Sequence, residues 1–129
     1  MEAIERSVSN GIVIEKVNLV RATLNEAYEL KNNLLEDSLD HKKIIVDLSL
    51  CDYIDSTFLG AIIYSYKKIK ETDGIIVLVI GDTSLANSFI FREITSIFLI
   101  FSSVKEAIDE LNNLQKVDVE GRPRDSSAN

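Results

Sequence analysis

The sequence predicts an α/β domain: a mixed sheet of four to five strands, opened by an antiparallel hairpin and flanked by about four helices. Asn10-Gly11 stands between the strand-like runs Ala3 to Ser9 and Ile12 to Val17, and this dipeptide suits a two-residue hairpin because both turn residues must accept positive φ. From residue 43 onward, β-rich runs alternate with helix-periodic segments, which implies parallel strands joined by right-handed crossovers. A chain of 129 residues has the size of one domain and can bury a core without a disulfide or structural metal.

Thr23 followed by Glu26 has the spacing of a capping box, and Leu24, Ala27, Leu30 and Leu34 recur at helical intervals, so a first helix is predicted to about Ser38. Ile44-Ile45-Val46 lacks alternation, as in a central strand covered on both faces. A second helix follows Asp55, with Leu59, Ile62, Tyr66 and Ile69 as its buried stripe, a solvated Lys67-Lys68/Lys70 end and an Asp73-Gly74 stop. Ile75 to Ile80 reads as a core strand. Gly81-Asp82-Thr83-Ser84 reads as a turn and helix cap, leading to a short helix through Phe89 and Phe91 that ends near Glu93. Ile97 to Phe101 reads as a further strand. Ser103 and Glu106 repeat the capping-box spacing before a last amphipathic helix carrying Val104, Ala107, Ile108, Leu111 and Leu114. The pattern fails beyond Gln115, which divides the chain into a packed domain over residues 1–115 and a flexible polar tail over 116–129.

Fourteen Lys and Arg against twenty-one Asp and Glu give a net charge of −7, which opposes binding to nucleic acid or anionic lipid. No signal peptide or transmembrane run is readable, so a cytoplasmic location and no direct membrane contact are expected. The lone Cys51 and lone His41 cannot furnish a zinc set, and no cofactor is expected. Cys51 reads as a small buried hydrophobe.

The most informative segment is Tyr53-Ile54-Asp55-Ser56-Thr57-Phe58-Leu59-Gly60. With Asp55 as N-cap, Ile54 and Leu59 take the two positions of a hydrophobic staple and Ser56 falls at N1. A phosphate on Ser56 would meet the unsatisfied N–H groups and positive dipole end of the helix, so the site can switch without melting its own element. On spacing alone, Asp55 is explained by capping, and Ser56 and Thr57 by polar filling of the first turn. Phe58 reads either as an aromatic anchor for a partner or as a cover for the end of the sheet.

The order of elements and the Asp55-Ser56-Thr57-Phe58-Leu59-Gly60 motif resemble the STAS domain, in particular the bacterial anti-sigma factor antagonists, over about residues 3 to 115. The segment from Ile44 to Lys70 carries the most specific part of the likeness. The resemblance implies that Ser56 is phosphorylated by a partner anti-sigma factor with serine kinase activity, and that Asp55, Ser56, Thr57 and Phe58 lie in the partner contact. It also implies that the unmodified form binds the anti-sigma factor and frees a sigma factor, and that a metal-dependent PP2C-type phosphatase resets the cycle. The domain itself would be no enzyme.

Two other readings stand beside this one. A STAS subunit could dock on the ATPase of a membrane transport complex without a phosphorylation cycle. A serine hydrolase would need Ser56 as nucleophile, His41 as base and Asp47 or Asp52 as orienter, but the chain lacks a Gly-x-Ser-x-Gly elbow.

Overall fold

The computed structural model describes residues 2–119, with side chains as far as Leu114. Strands β1 (Ile4–Ser9) and β2 (Ile12–Val17) pair antiparallel from Ile4 opposite Val17 to Ser9 opposite Ile12. Asn10 (φ 53°) and Gly11 (φ 78°) both adopt the left-handed conformation, as a two-residue hairpin turn requires.

Strands β3 (Arg21–Ala22), β4 (Lys43–Asp47), β5 (Tyr53–Ile54), β6 (Ile75–Val79) and β7 (Ile100–Phe101) follow in chain order. The main sheet runs β1-β2-β4-β6-β7, with every pair after the hairpin parallel. A separate two-stranded sheet joins β3 to β5. Among the described residues the helices are α1 (Leu24–Asp37), α2 (Ser56–Lys70), α3 (Phe89–Ile97) and α4 (Val104–Val119), with a 3-10 turn at Ser84–Asn87.

Two apolar layers explain why the inner strands do not alternate. Ile44, Val46, Ile76 and Leu78 face the cluster that includes Leu30, Leu34, Ile62 and Ile94 of α1, α2 and α3. Ile45, Val77 and Val79 instead join Ile12, Ile14, Ala107 and Leu111, so α4 covers the opposite face. Both sides of β4 and β6 are therefore dry.

Several local predictions need correction. Leu24 opens α1 but is exposed, leaving Ala27, Leu30 and Leu34 as the buried stripe. Helix α3 continues to Ile97, past the expected end near Glu93, and takes the first residue of the expected last strand, which shrinks to Ile100–Phe101. Ile90, Ile94 and Ile97 are spaced for a helix, and all three pack into the core. Thr83 does not cap the turn that follows it; its hydroxyl donates to the Cys51 carbonyl (2.7 Å). Ser103 Oγ accepts from the Glu106 N–H, but Glu106 Oε1 reaches back to Ser102 and not to Ser103.

The stop after α2 uses Asp73, not Gly74, for its left-handed residue (φ 66°). Gly74 is instead required by space, since a Cβ there would lie 2.5 Å from Ile69 Cγ2 and 3.3 Å from the Lys42 carbonyl oxygen. Helix α4 runs past Gln115 to Val119, and the remainder of the expected tail lies outside the described residues. None of the described helices is long and apolar enough to cross a membrane.

Candidate functional site

The short ladder between β3 and β5 positions the site. Arg21 pairs with Tyr53 and Ala22 with Ile54 in parallel register, so the next residues, Thr23 and Asp55, lie side by side as the N-caps of α1 and α2. Main-chain bonds hold this register: Asp52 and Tyr53 N–H donate to the Val20 carbonyl, and Asp55 N–H donates to the Ala22 carbonyl (3.1 Å). Two helix N-termini are thereby brought together. On the outer side of the ladder, the Arg21 guanidinium stacks 4.2 Å from the centroid of the Tyr53 ring.

Asp55 serves both helices at once. Its Oδ1 accepts from the Phe58 N–H (2.8 Å), the N3 donor of α2. Its Oδ2 accepts from the Leu24 N–H (2.9 Å), the N1 donor of α1. Thr23 completes the start of α1 with a capping box, Oγ1 accepting from Asn25 N–H and Glu26 Oε1 accepting from Thr23 N–H. The carboxylate thus satisfies otherwise unpaired N–H groups on two separate elements.

Ser56 occupies N1 of α2 and is exposed, as is Thr57. Among the described residues no group hydrogen-bonds the Ser56 hydroxyl, while Ile54 and Leu59 are buried in the same cluster, as the staple pattern anticipates. Phe58 is fully buried and is the largest side chain of the core so enclosed. Its ring packs in the main core cluster, in keeping with the structural one of its two readings.

Sequence reasoning missed the apolar surface that adjoins the serine. Leu24, Ala27 and Tyr28 of α1 and Thr57, Gly60, Ala61 and Tyr64 of α2 line an open groove of about 360 Å³. Lys31 lies across it, with its Nζ 5.1 Å from the Tyr64 ring centroid and 5.8 Å from that of Tyr28. No signal in the sequence marks the groove, because Leu24 falls on the periodic stripe and only the structure shows it exposed.

A hydrolytic triad is not assembled. His41 lines a depression with Lys68 and Thr72, near the C-terminal end of α2, and Lys68 lies twelve helical positions beyond Ser56, about 18 Å along the axis. Asp47 Oδ1 accepts from Ser49 N–H, and Asp52 Oδ1 from Ser84 N–H. Cys51 is sealed in the core, and burial, with Asp47 and Asp52 adding to it, pushes its thiol up to about 12. Among the described residues no group of three His, Cys, Asp or Glu side chains is placed to hold a metal ion.

The sequence model of the STAS domain matches residues 2–107. The chain belongs to the STAS domain family. A Thermotoga maritima protein described as an anti-sigma factor antagonist is 21% identical, with a TM-score of 0.71 over 84% of this chain and 94% of the other. The unphosphorylated form of the anti-sigma factor antagonist SpoIIAA is 13% identical, with a TM-score of 0.66 over 85% of this STAS domain and 98% of its own chain. The phosphorylated form of SpoIIAA, a Bacillus cell fate determinant, gives 14% identity and a TM-score of 0.65 over 84% and 99% of the two chains. At such identities the likeness is one of fold. No curated protein matches this STAS domain in sequence.

Proposed function

We propose that this STAS domain is a cytoplasmic anti-sigma factor antagonist whose docking face is switched by phosphorylation of Ser56. In the unmodified state it binds an anti-sigma factor with serine kinase activity and so releases a sigma factor; phosphorylation ends the complex and a PP2C-type phosphatase restores it. The domain acts by binding and not by catalysis. The observation that carries this reading is the exposed Ser56 hydroxyl, without a hydrogen-bond partner among the described residues, at the joint start of two helices. The existence of SpoIIAA structures with and without phosphate supports it.

A phosphate adds about −1.5 to −2 charges at neutral pH. Next to a helix N-terminus that charge is stabilised by roughly 0.3–1 kcal/mol, up to about 2 when partly buried, and here two N-termini converge. Asp55 opposes it as a like charge, but that carboxylate is already engaged by two N–H donors. The fold therefore tolerates the modification. A partner seated over Ser56 must instead desolvate the phosphate or repel it, and a loss of about 4 kcal/mol weakens binding roughly a thousandfold. Asp55, Ser56 and Thr57 form the rim of the proposed contact, and the groove of Leu24, Tyr28, Gly60 and Tyr64 supplies the apolar surface that Phe58 does not.

The test incubates the purified domain with the serine-kinase anti-sigma factor encoded in the same genome and maps phosphate by mass spectrometry. Phosphate on Ser56, none on Ser56→Ala, and at least about a hundredfold weaker binding by Ser56→Asp are the expected results. Equal phosphate incorporation into Ser56→Ala, or equal affinity of the Ala and Asp variants for that partner, refutes the proposal.

A further inference from the structure

At the far end of α1 from Ser56, β2 carries an acidic side chain into the interior. Glu15 is fully buried, and Asp37, the last residue of α1, is buried to 5% exposure. Arg6 links the two: it stands opposite Glu15 in the β1–β2 ladder, and its guanidinium reaches the Asp37 carboxylate. Glu15 Oε2 and Asp37 Oδ2 are both shielded from solvent and have no donor among the described residues. The other two oxygens are engaged: Asn33 Nδ2 donates to Glu15 Oε1 (3.5 Å), and Arg6 Nε donates to Asp37 Oδ1 (2.8 Å).

The charges around this pair do not balance if both acids are ionised. Strand β1 contributes Arg6, which stands opposite Glu15 in the ladder. Strand β4 places the apolar Val46 on the other side of Glu15. Helix α1 contributes the neutral Asn33 and Asp37 itself, and its last turn holds no basic residue. Asp40, just beyond α1, adds a further negative charge within range of Arg6. One cation thus faces two buried acids at the negative end of a helix dipole.

We propose that Glu15 keeps its proton in the folded domain and donates it toward Asp37, forming a pH-sensitive latch that holds the C-terminal end of α1 on the sheet. One proton supplies the donor that the two orphaned oxygens lack and leaves a single carboxylate for Arg6. Burial first, and Asp37 second, push Glu15 up to about 8 from its ordinary 4.5. The sign follows directly: an acid raised in the folded state stabilises it fully below the unfolded value, and that contribution is lost as pH climbs through the folded value. The window runs from about 4.5 to about 8.

Two measurements on the intact protein test this. In carbon-detected NMR of ¹³C-labelled protein, the Glu15 side-chain carboxyl carbon is expected to titrate near pH 8, and Asp37→Asn is expected to lower that midpoint by removing the like charge. In urea melts, the folding constant of the wild type relative to Glu15→Gln is expected to fall about tenfold per pH unit across the window and then level off. A Glu15 carboxyl that titrates below pH 5.5 overturns the proposal. So does a wild-type to Glu15→Gln ratio that stays constant from pH 5 to 9. If Glu15→Gln does not fold, the NMR titration of the wild type alone decides.

Discussion

The Leu24 N–H donates to Asp55 Oδ2 across 2.9 Å, although the two residues are thirty-one positions apart in the chain. This bond makes the N-cap of α2 a cap for α1 as well. Replacing Asp55 by Ala is expected to destabilise the domain by about 2 kcal/mol, since a single lost cap costs about 1 kcal/mol. Asn, with one acceptor oxygen, can serve only one of the two helices, so Asp55→Asn is expected to cost about half as much. Urea denaturation reads both values. An Ala variant that loses only about 1 kcal/mol, the cost of a single cap, would show that the second helix draws nothing from the carboxylate.

Phe58 separates stability from docking. Its ring is enclosed in the core, so Phe58→Ala is expected to lose about 3–5 kcal/mol. Phe58→Leu keeps most of the volume and is expected to lose roughly 1–1.5 kcal/mol. Because the ring does not reach the surface, the Leu variant should retain wild-type affinity for the proposed anti-sigma factor partner, measured by calorimetry at a temperature where it is folded. A large loss of affinity in a folded Leu variant would argue that Phe58 turns outward in the complex.

Two glycines should respond oppositely to the same change. A Cβ on Gly74 would meet Ile69 and backbone of the β4 approach, so Gly74→Ala is expected to destabilise by about 1–3 kcal/mol. A Cβ on Gly60, within α2, meets nothing within 4 Å. Gly60→Ala is therefore expected to stabilise by about 0.5–1 kcal/mol through the lower backbone entropy of the unfolded chain. Thermal and urea melts of the two variants side by side check the signs.

Cys51 should be chemically silent in the native protein. Its thiol is buried and held protonated at neutral pH, so labelling by a thiol reagent at pH 8 is expected only as fast as the domain opens. Addition of urea above the unfolding midpoint should expose it to complete reaction. Rapid labelling without urea would contradict the packing around β4 and β5.

How far the sequence reveals this fold depends on how local each signal is. The Asn10-Gly11 turn, the Thr23/Glu26 box and the Asp55 cap are each specified within a few residues, and each recurs in the structure at the expected place. The β3–β5 ladder has no such signal. Two residues per strand show no period, and the register is fixed by carbonyls of Val20 and Ala22 whose side chains reveal nothing of it. The double role of Asp55 was hidden for the same reason, since its second partner is a backbone N–H from another helix. Ile97 illustrates a different failure: its apolar neighbours Phe98 to Phe101 suggest a strand, but its spacing from Ile90 and Ile94 places it on a helix. Phe58 was ambiguous because aromatic character alone does not say which way a ring points from the first turn of a helix.

Because main-chain atoms align the two caps, the outward-facing positions of that junction carry little architectural duty. Val20, Arg21 and Tyr53 are all exposed, and their replacement leaves the carbonyl and amide pattern beneath them intact. Mutation can accordingly redraw the face around the serine-bearing turn while the position of that turn relative to α1 is inherited unchanged.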